Sequence, residues 1–376
     1  MNKQITLKNS PLTEYLYTKA SRKKIPLSGT FELSPICNFS CKMCYVRKTI
    51  KEVQEHSRNI LTLEQWRRIA REAREAGMLY LLLTGGEPFL WPDFWTLYEE
   101  VIEMGFLISI NTNGSMIDME TVERLKKMPP RRVNITLYGA GDETYEALCG
   151  VRGMFPKVDE AIRNLKAAGI NVKLNCSLTP HNQHDLEKLI DYATEKDLVL
   201  SVATYMFPAI RRDSSNVGIN QRFTPEENAK YRLRCIELQN GQEKYQQYLE
   251  KICAGSVEPP GLDEGCLDPV NGSVRCRAGK ASFWITWDGW MTPCGMMNEP
   301  KVDVTKQTFS DAWNILAEET MSLKLSGICN QCPNQQICHP CAAMAASETG
   351  SVEGIPKYLC ESTREMRKIA MDAFGK

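Results

Sequence analysis

The chain has 376 residues, 43% of them hydrophobic and 24% charged, and its Lys+Arg and Asp+Glu totals are both 46. This length allows one large domain plus a smaller one, and the balanced charge gives no net field to hold nucleic acid or an anionic membrane. The N-terminal Met1–Ser10 lacks the apolar core of a secretory signal, and the longest apolar run, Met78–Leu83, is too short to span a bilayer. We therefore expect a cytoplasmic protein without nucleic-acid or membrane partners.

Short apolar runs that alternate with amphipathic segments predict repeated β–α units after a polar, irregular N-terminal stretch. The predicted strands are Thr30–Leu33, Leu79–Leu83, Leu107–Ile110, Arg132–Leu137, Asn171–Cys176 and Leu198–Tyr205. The predicted helices between them are Leu63–Glu75, Phe94–Met104, Met119–Lys127, Val158–Ala168 and Leu186–Glu195. Because these units are fewer than the eight of a full barrel, we expect an α/β fold with a partial six-stranded (β/α)6 barrel. Ligands of such sheets bind at the carboxyl ends of the strands.

A change in composition after the sixth strand predicts a second, smaller domain. The segment from Thr224 to about Lys251 is predicted as one long polar helix, and the region from Cys266 onward is rich in cysteine and poor in long periodic elements. The fold of such a region is expected to depend on bound metal. The expected organisation is an N-terminal extension (1–30), the partial barrel (31–215), a bridging helix and linker (216–265) and a cysteine-rich domain (266–376).

The 15 cysteines are the unusual feature of the composition. In a large chain without an export signal, cysteines at short spacings indicate metal binding rather than a disulfide framework. Cys37, Cys41 and Cys44 directly follow the first predicted strand. Three thiolates from one loop can hold a four-iron cluster and leave one iron open for another ligand. A zinc site is the alternative, but it would need a fourth ligand, and the nearest histidine, His56, is in a charged stretch twelve residues away.

This C-x3-C-x2-C motif resembles the signature of the radical S-adenosylmethionine (SAM) superfamily, and the adjacent aromatic Tyr45 also fits it. The resemblance implies that SAM chelates the open iron of a [4Fe–4S] cluster. It implies further that an electron from the cluster cleaves SAM to methionine and a 5′-deoxyadenosyl radical, which takes a hydrogen atom from a substrate carbon. An electron donor such as flavodoxin or ferredoxin is the implied partner.

Candidate SAM contacts follow the predicted strands. Gly85, Gly86, Glu87 and Pro88 come after the second strand and resemble the GGEP motif that holds the SAM amino group, although a plain turn would also suit these residues. By the same resemblance, the region after the third strand and the end of the fourth lie near the ribose and carboxylate of SAM. The remaining candidates are Asn113, which also suits a turn, Thr136, Asn175 and Met206, which would pack on adenine or on the core.

The C-terminal cysteines resemble those of the SPASM domain, an extension of radical SAM enzymes that act on peptides and proteins. Carried over by position, the first auxiliary [4Fe–4S] cluster would use Cys266, Cys276, Cys294 and Cys341. The second auxiliary cluster would use Cys329, Cys332, Cys338 and Cys360. One spacing departs from the family, since two residues rather than three separate Cys338 from Cys341. Zinc remains an alternative, although zinc ribbons separate their cysteine pairs more widely, and Cys253 is a possible substitute for Cys266.

The SPASM resemblance implies a peptide or protein substrate that is crosslinked, epimerised or oxidised. Sulfatase maturases carry an aspartate base directly after the second SPASM cysteine, where this chain has Gly295, so that reaction is less favoured. Two further functions stay open at this point, a small-molecule dehydrogenase and a non-enzymatic iron–sulfur electron carrier, and no catalytic residue is assigned. Since 36 residues precede Cys37, too few for the leader-binding module of many relatives, we expect any leader peptide to be recognised elsewhere.

Overall fold

The computed structural model describes residues 11–208, 221–255, 274 and 276–375. The strands of the described part form one nine-stranded sheet in the order β6-β5-β4-β3-β2-β1-β7-β8-β9. They are β1 (Ser28–Glu32), β2 (Tyr80–Thr84), β3 (Leu107–Thr112), β4 (Arg132–Thr136), β5 (Val172–Ser177), β6 (Val199–Ala203), β7 (Ser282–Ile285), β8 (Trp290–Thr292) and β9 (Val302–Asp303). Every pair from β1 to β6 is parallel, which confirms the predicted α/β core.

Helices connect the parallel strands and make up most of the described C-terminal half of the chain. They are α1 (Pro11–Lys23), α2 (Ile50–Gln54), α3 (Leu63–Glu75), α4 (Phe94–Glu103), α5 (Met119–Lys127), α6 (Asp142–Cys149), α7 (Met154–Ala167), α8 (Leu186–Glu195), α9 (Pro225–Asn240), α10 (Gln242–Ala254), α11 (Phe309–Ser322), α12 (Gly327–Asn330), α13 (Gln335–Cys338), α14 (Ala342–Thr349) and α15 (Lys357–Ala373). No described helix has the length and apolar character needed to cross a membrane.

Several elements differ from the sequence prediction. Helix α1 occupies a stretch expected to be irregular, and it buries only Ala20, so its apolar pattern is weak. The long polar helix is interrupted at Gly241, whose φ of +80° is in the left-handed region that favours glycine. The expectation of few long elements near the C-terminus was wrong. Helix α11 buries Phe309, Trp313 and Leu316 at helical spacing, and α15 has 17 residues.

The C-terminal half joins the barrel through β7. This strand pairs parallel with β1, so that Phe31 lies opposite Ile285 at the carboxyl ends of both strands. Strand β7 then turns back antiparallel into β8, as the aromatic-flanked turn at Asp288 and Gly289 suggests. The cysteine loop after β1 and the hairpin after β7 therefore emerge at the same edge of the sheet.

Candidate functional site

The loop that carries Cys37, Cys41 and Cys44 lies between β1 and α2 and is held by backbone hydrogen bonds to distant parts of the chain. The N–H of Ser40 donates to the carbonyl of Cys149 (2.8 Å), and the N–H of Lys42 donates to that of Leu148 (3.0 Å). The loop therefore rests on the C-terminal end of α6, a helix that the sequence reasoning did not predict.

The three thiols of this loop lie near one another and are partly buried. Burial raises the pKa of the Cys37 thiol to about 12, and the nearby Cys44 and Cys41 thiols add to the rise, while the Phe39 N–H, 3.3 Å from the Cys37 sulfur, lowers it. The N–H of Arg47 donates to the Cys44 sulfur (3.2 Å). Backbone donors of this kind stabilise thiolates, which is the form that binds iron.

Gly85 and Gly86 bring the backbone after β2 against the cysteine loop. The N–H of Gly86 donates to the carbonyl of Ser34 (2.8 Å), and the next N–H donates to that of Ile36 (2.9 Å). A Cβ on Gly85 would lie 2.4 Å from the Ser34 oxygen, and one on Gly86 would lie 2.4 Å from the Ile36 oxygen. Both glycines are required by this close approach between two backbones.

Glu87 is fully buried and links this loop to the end of β3. Its carboxylate accepts hydrogen bonds from the Thr112 hydroxyl (2.8 and 2.9 Å), the Asn113 N–H (2.8 Å) and the Phe89 N–H (3.3 Å). Burial raises the pKa of Glu87 to about 7, and the three donors oppose that rise. Pro88, also buried, begins a short 3₁₀ turn. The buried Glu87 carboxylate therefore holds the loop after β2 against the end of β3.

The other predicted SAM contacts lie in three different parts of the structure: at the cysteine loop, on two paired strands and in the core. The Asn113 amide nitrogen lies 2.9 Å from the Asn38 Oδ1 and 3.7 Å from the Cys37 sulfur, so Asn113 touches the cysteine loop. Thr136 and Asn175 lie opposite each other across β4 and β5. Met206 is buried in the main core.

Sequence reasoning missed two neighbours of the cysteine loop. The Cys149 thiol is fully buried and hydrogen-bonds with Cys41, and this bond together with burial raises the pKa of Cys41. The Tyr138 side chain also hydrogen-bonds with Cys41 and lowers that pKa. Neither residue has a recognisable spacing to the motif, because α6 and the end of β4 approach the loop only in the folded chain.

The C-terminal cysteines are in two groups. Burial raises the pKa of the Cys338 thiol to about 11, and the Thr363 hydroxyl lowers it. The nearby thiols of Cys360, Cys329 and Cys332 raise it further. The structure thus brings together all four cysteines assigned to the second auxiliary cluster.

The second group contains Cys276, Cys294 and Cys341. All three pack against one small apolar cluster that includes Val274 and Met297. Burial raises the pKa of the Cys276 thiol, and Cys341 adds to the rise. Cys266, the fourth cysteine assigned to this set, lies outside the described residues.

Cys253 packs in a different place from the second group. It contacts the apolar cluster of Ile337 and Met366, between α10 and α15. The structure therefore separates Cys253 from the set in which it was considered as a substitute for Cys266.

A cavity of about 220 Å³ opens between the cysteine loop and the β7–β8 hairpin. Tyr45 and Lys48 line it from the loop side, and Asp288 and Trp290 line it from the hairpin. Glu32, the last residue of β1, also lines it and is 1% exposed. The cavity is therefore at the carboxyl edge of the sheet, where such folds bind ligands.

Among the described residues, no group of three or more His, Cys, Asp or Glu side chains converges closely enough to hold one metal ion.

Comparison with known proteins agrees with this arrangement. Residues 31–193 match the model of the Radical SAM superfamily. The chain contains a radical SAM domain. A domain of this kind implies SAM binding and a [4Fe–4S] cluster.

One relative and the solved structures extend the likeness beyond the domain, and a second relative matches about half of the chain. The AdoMet-dependent heme synthase of Methanosarcina barkeri is 24% identical over 334 residues, which are 85% of this chain and 92% of that protein. The mycofactocin maturase MftC of Mycobacterium tuberculosis is 30% identical over 178 residues, 47% of this chain and 44% of that protein. Streptococcus suis SuiB bound to S-adenosylmethionine has a TM-score of 0.66 at 21% identity, with 93% of this chain and 81% of SuiB covered, and so shares the fold.

Proposed function

We propose that this protein is a radical SAM enzyme with three [4Fe–4S] clusters that abstracts a hydrogen atom from a peptide substrate. The observation that carries the proposal is the grouping of Cys338 with Cys360, Cys329 and Cys332. Cys360 lies in a separate helix, α15, and its approach to the other three thiols supports the interleaved ligand sets that the SPASM resemblance implies.

Each part of the site has a role in this proposal. Cys37, Cys41 and Cys44 hold the catalytic cluster, and SAM bound there supplies the hydrogen-abstracting radical chemistry. The backbone of Gly85 and Gly86 faces the SAM amino group, and Glu87 keeps that backbone in place through its bonds to β3. Asn113 and Thr136 face the ribose and carboxylate side of SAM, and Asn175 is a further contact. Met206 supports the adenine side from the core.

The auxiliary clusters belong to the region from residue 266 onward, which we assign as a SPASM domain after the barrel (31–215) and the bridging segment (216–265). With four cysteines each, both clusters are fully ligated by protein and suit electron transfer rather than substrate binding. A flavodoxin or ferredoxin supplies the electron for the catalytic cluster.

A peptide substrate is supported by three observations. MftC is named as a maturase, and SuiB, which shares the fold, has been solved with its precursor peptide SuiA. In addition, the cavity of about 220 Å³ is smaller than the roughly 300–1,000 Å³ of pockets for drug-sized ligands. It suits the side chain of one amino-acid residue.

A second candidate is a small-molecule reaction of the heme-synthase kind. The observation in its favour is that the M. barkeri heme synthase aligns over 92% of its own length. A tetrapyrrole is larger than the cavity, so this function would need the loop and hairpin to separate. Turnover of an iron porphyrin carrying propionate groups, without turnover of any peptide, would support this candidate over a peptide substrate.

The proposal is tested on the full chain after anaerobic reconstitution. We expect about twelve irons per chain, as three four-iron clusters require, and release of 5′-deoxyadenosine from SAM with dithionite as reductant. The triple variant Cys37→Ala/Cys41→Ala/Cys44→Ala should lose this release and about four irons. The matched control Cys253→Ala should keep both. About four irons per wild-type chain would contradict the assignment of the two auxiliary clusters. Undiminished release of 5′-deoxyadenosine from the triple variant would contradict the assignment of the catalytic cluster.

A further inference from the structure

The two faces of the parallel sheet differ in polarity. On β4, Val133 and Ile135 pack into the main apolar core with the surrounding helices. Because successive side chains of a strand point to opposite faces, Arg132, Asn134 and Thr136 lie on the other face, which is the inner face of the barrel. By the same alternation, no Asp or Glu is among the inner residues of the described strands β2, β3, β4 and β5.

Two cations occupy this inner face. Lys173 alternates with the core residue Leu174 on β5 and lies opposite Asn134 of β4. Burial lowers the pKa of Lys173, and the positive charge of Arg132 lowers it further. Neither cation forms an ion pair within the part of the chain that the structure describes. Two like charges are therefore held near each other on the inner face, an arrangement that disfavours the charged forms until an anion joins them.

The carboxylate that the inner face does contain is on a distant strand. Glu32 is on β1, three strands away from β4 in the sheet. Its Oε2 accepts a hydrogen bond of 2.9 Å from the indole N–H of Trp284 on β7. Glu32 is thus part of the junction between β1 and β7 and leaves the charges of β4 and β5 uncompensated.

Between the two cations lies an amide with one unsatisfied end. Asn134 is 7% exposed, and its Nδ2 donates a hydrogen bond to the Asn111 Oδ1 (2.8 Å). Its own Oδ1 is buried and has no hydrogen-bond partner among the described residues, and the same is true of the Arg132 Nε. Since buried polar groups without partners cost folding free energy, this pattern indicates a ligand. The complementary ligand supplies an anionic oxygen to the cations and an N–H to the Asn134 oxygen.

The unsatisfied groups lie below the proposed SAM contacts in the barrel. Thr136 and Asn175 lie opposite each other near the carboxyl ends of β4 and β5. With a rise of about 3.3 Å per residue, Asn134 and Lys173 are roughly 7 Å deeper than this pair, and Arg132 is roughly 13 Å deeper. A ligand anchored at the two cations therefore extends toward the edge of the sheet at which SAM would bind.

We propose that Arg132, Lys173 and Asn134 recognise an acidic residue of the peptide substrate. The inference rests on the proposed function and defines its substrate class. The carboxylate, from an Asp or Glu side chain or from the C-terminus of the peptide, binds the guanidinium and the ammonium group, and a peptide N–H donates to the Asn134 Oδ1. An iron porphyrin also carries carboxylates, but its propionate groups bring no N–H donor for Asn134, so the amide favours a peptide.

Three peptides test the charge and its source. They are acetyl-Ala-Ala-Glu-Ala-Ala-amide, the same peptide with Gln in place of Glu, and the Gln peptide with a free C-terminal carboxylate. Isothermal titration calorimetry of the reconstituted full chain with SAM and without reductant measures their dissociation constants. At least one of the two anionic peptides should bind about tenfold or more tightly than the neutral peptide. The one that does identifies the source of the carboxylate.

Substitutions then assign this preference to the two cations. Arg132→Met and Lys173→Met should each bring the anionic and neutral peptides to within about threefold of each other, whereas Lys173→Arg should keep most of the difference because the charge remains. Lys127→Met, which removes an exposed lysine of α5, is the matched control and should keep the wild-type preference.

Folding is checked separately from recognition. Iron content and the circular dichroism spectrum should be the same in Arg132→Met, Lys173→Met and the wild type. Lys173→Met should unfold at the same or a higher temperature than the wild type, because the substitution removes a like-charge repulsion. A lysine with a structural role would instead lower the unfolding temperature and weaken the neutral peptide as much as the anionic one.

Each contrary outcome has its own meaning. Equal affinity for all three peptides, or no binding of any of them below about 10 mM, overturns the recognition of an acidic residue. An unchanged preference in both Met variants overturns the assignment of Arg132 and Lys173. Binding of an iron porphyrin that depends on these two residues, without binding of any peptide, overturns the peptide class. The proposed function is tested independently by the iron content and 5′-deoxyadenosine release of the wild type without peptide.

Discussion

The two cysteine-bearing loops of this protein are held in different ways. The loop of Cys37–Cys44 is anchored by backbone hydrogen bonds to distant segments, such as those of Ser40 with Cys149 and of Gly86 with Ser34. The loop of Cys329–Cys338 is built from local turns, since Cys329 bonds to Ser326 and Cys332 bonds to Cys329. Its helices α12 and α13 have four residues each.

This difference predicts where metal is needed for structure. A loop joined to central strands has its conformation determined by the sheet, whereas short local turns cannot offset their own ordering entropy. Under the proposed function, the C-terminal loop would therefore depend on its cluster for order, whereas the catalytic loop would be formed before its cluster binds.

The largest expected effect comes from removing iron. Amide hydrogens of residues 329–341 should exchange roughly a thousandfold faster in the iron-free chain than in the reconstituted chain, because cluster binding supplies the folding free energy of this loop. Amides of β2, β3 and β4 should change little. Hydrogen exchange with mass spectrometry measures both regions in one sample, and equal changes in the two would remove the distinction between the loops.

A substitution at Gly86 tests the anchoring of the catalytic loop. Gly86→Ala places a Cβ 2.4 Å from the Ile36 oxygen, so we expect about 2–4 kcal/mol of destabilisation and poor retention of the catalytic cluster. Denaturant unfolding and iron analysis measure the two effects. Gly141→Ala is the matched control, because a Cβ there meets nothing within 4 Å. A similar loss in both variants would show that the close approach is not the cause.

The junction of the two halves is tested at the Arg58–Asp303 ion pair. The guanidinium bonds both carboxylate oxygens (2.7 and 2.9 Å) and lies over the Trp290 ring. Arg58→Ala should cost about 2 kcal/mol in unfolding free energy. It removes both guanidinium hydrogen bonds from a largely buried carboxylate, which keeps only the longer contact with Lys306 (3.7 Å) as an ion pair. Lys51→Ala, which breaks the exposed pair with Glu55, should cost at most about 0.5 kcal/mol. Equal losses of unfolding free energy in the two variants would show that the Arg58–Asp303 pair stabilises the junction no more than an exposed pair does.

The smallest expected effect is the pH dependence of this ion pair. The hydrogen bond from Arg58 holds the pKa of Asp303 well below its usual range. Because the folded-state pKa is depressed, the stabilisation is present above the unfolded-state pKa of about 3.9 and is lost as pH falls below it. The difference in unfolding free energy between wild type and Asp303→Asn should be constant from pH 5 to 8. It should shrink below about pH 4, and a difference that instead grew there would contradict the assignment.

Much of the barrel was predictable from local signals. The helices Leu63–Glu75, Met119–Lys127 and Leu186–Glu195 have the bounds expected from their apolar periodicity. Helix α3 begins with a side-chain cap from Thr62, a local signal of the same kind. Helix α1 was missed because it buries one alanine. Helix α11 was missed although its apolar spacing was visible in the sequence, since the many cysteines around it suggested irregular structure.

The sequence by itself determined the chemistry of the thiols. Spacings such as that of Cys37, Cys41 and Cys44 are local, so they can be recognised without knowledge of the tertiary structure. Only the tertiary structure decided which distant groups approach them. Cys149 reaches Cys41 through α6, and Glu32 meets Trp284 because β7 pairs with β1. Contacts across more than one hundred residues depend on strand pairing and helix packing, which no local pattern specifies.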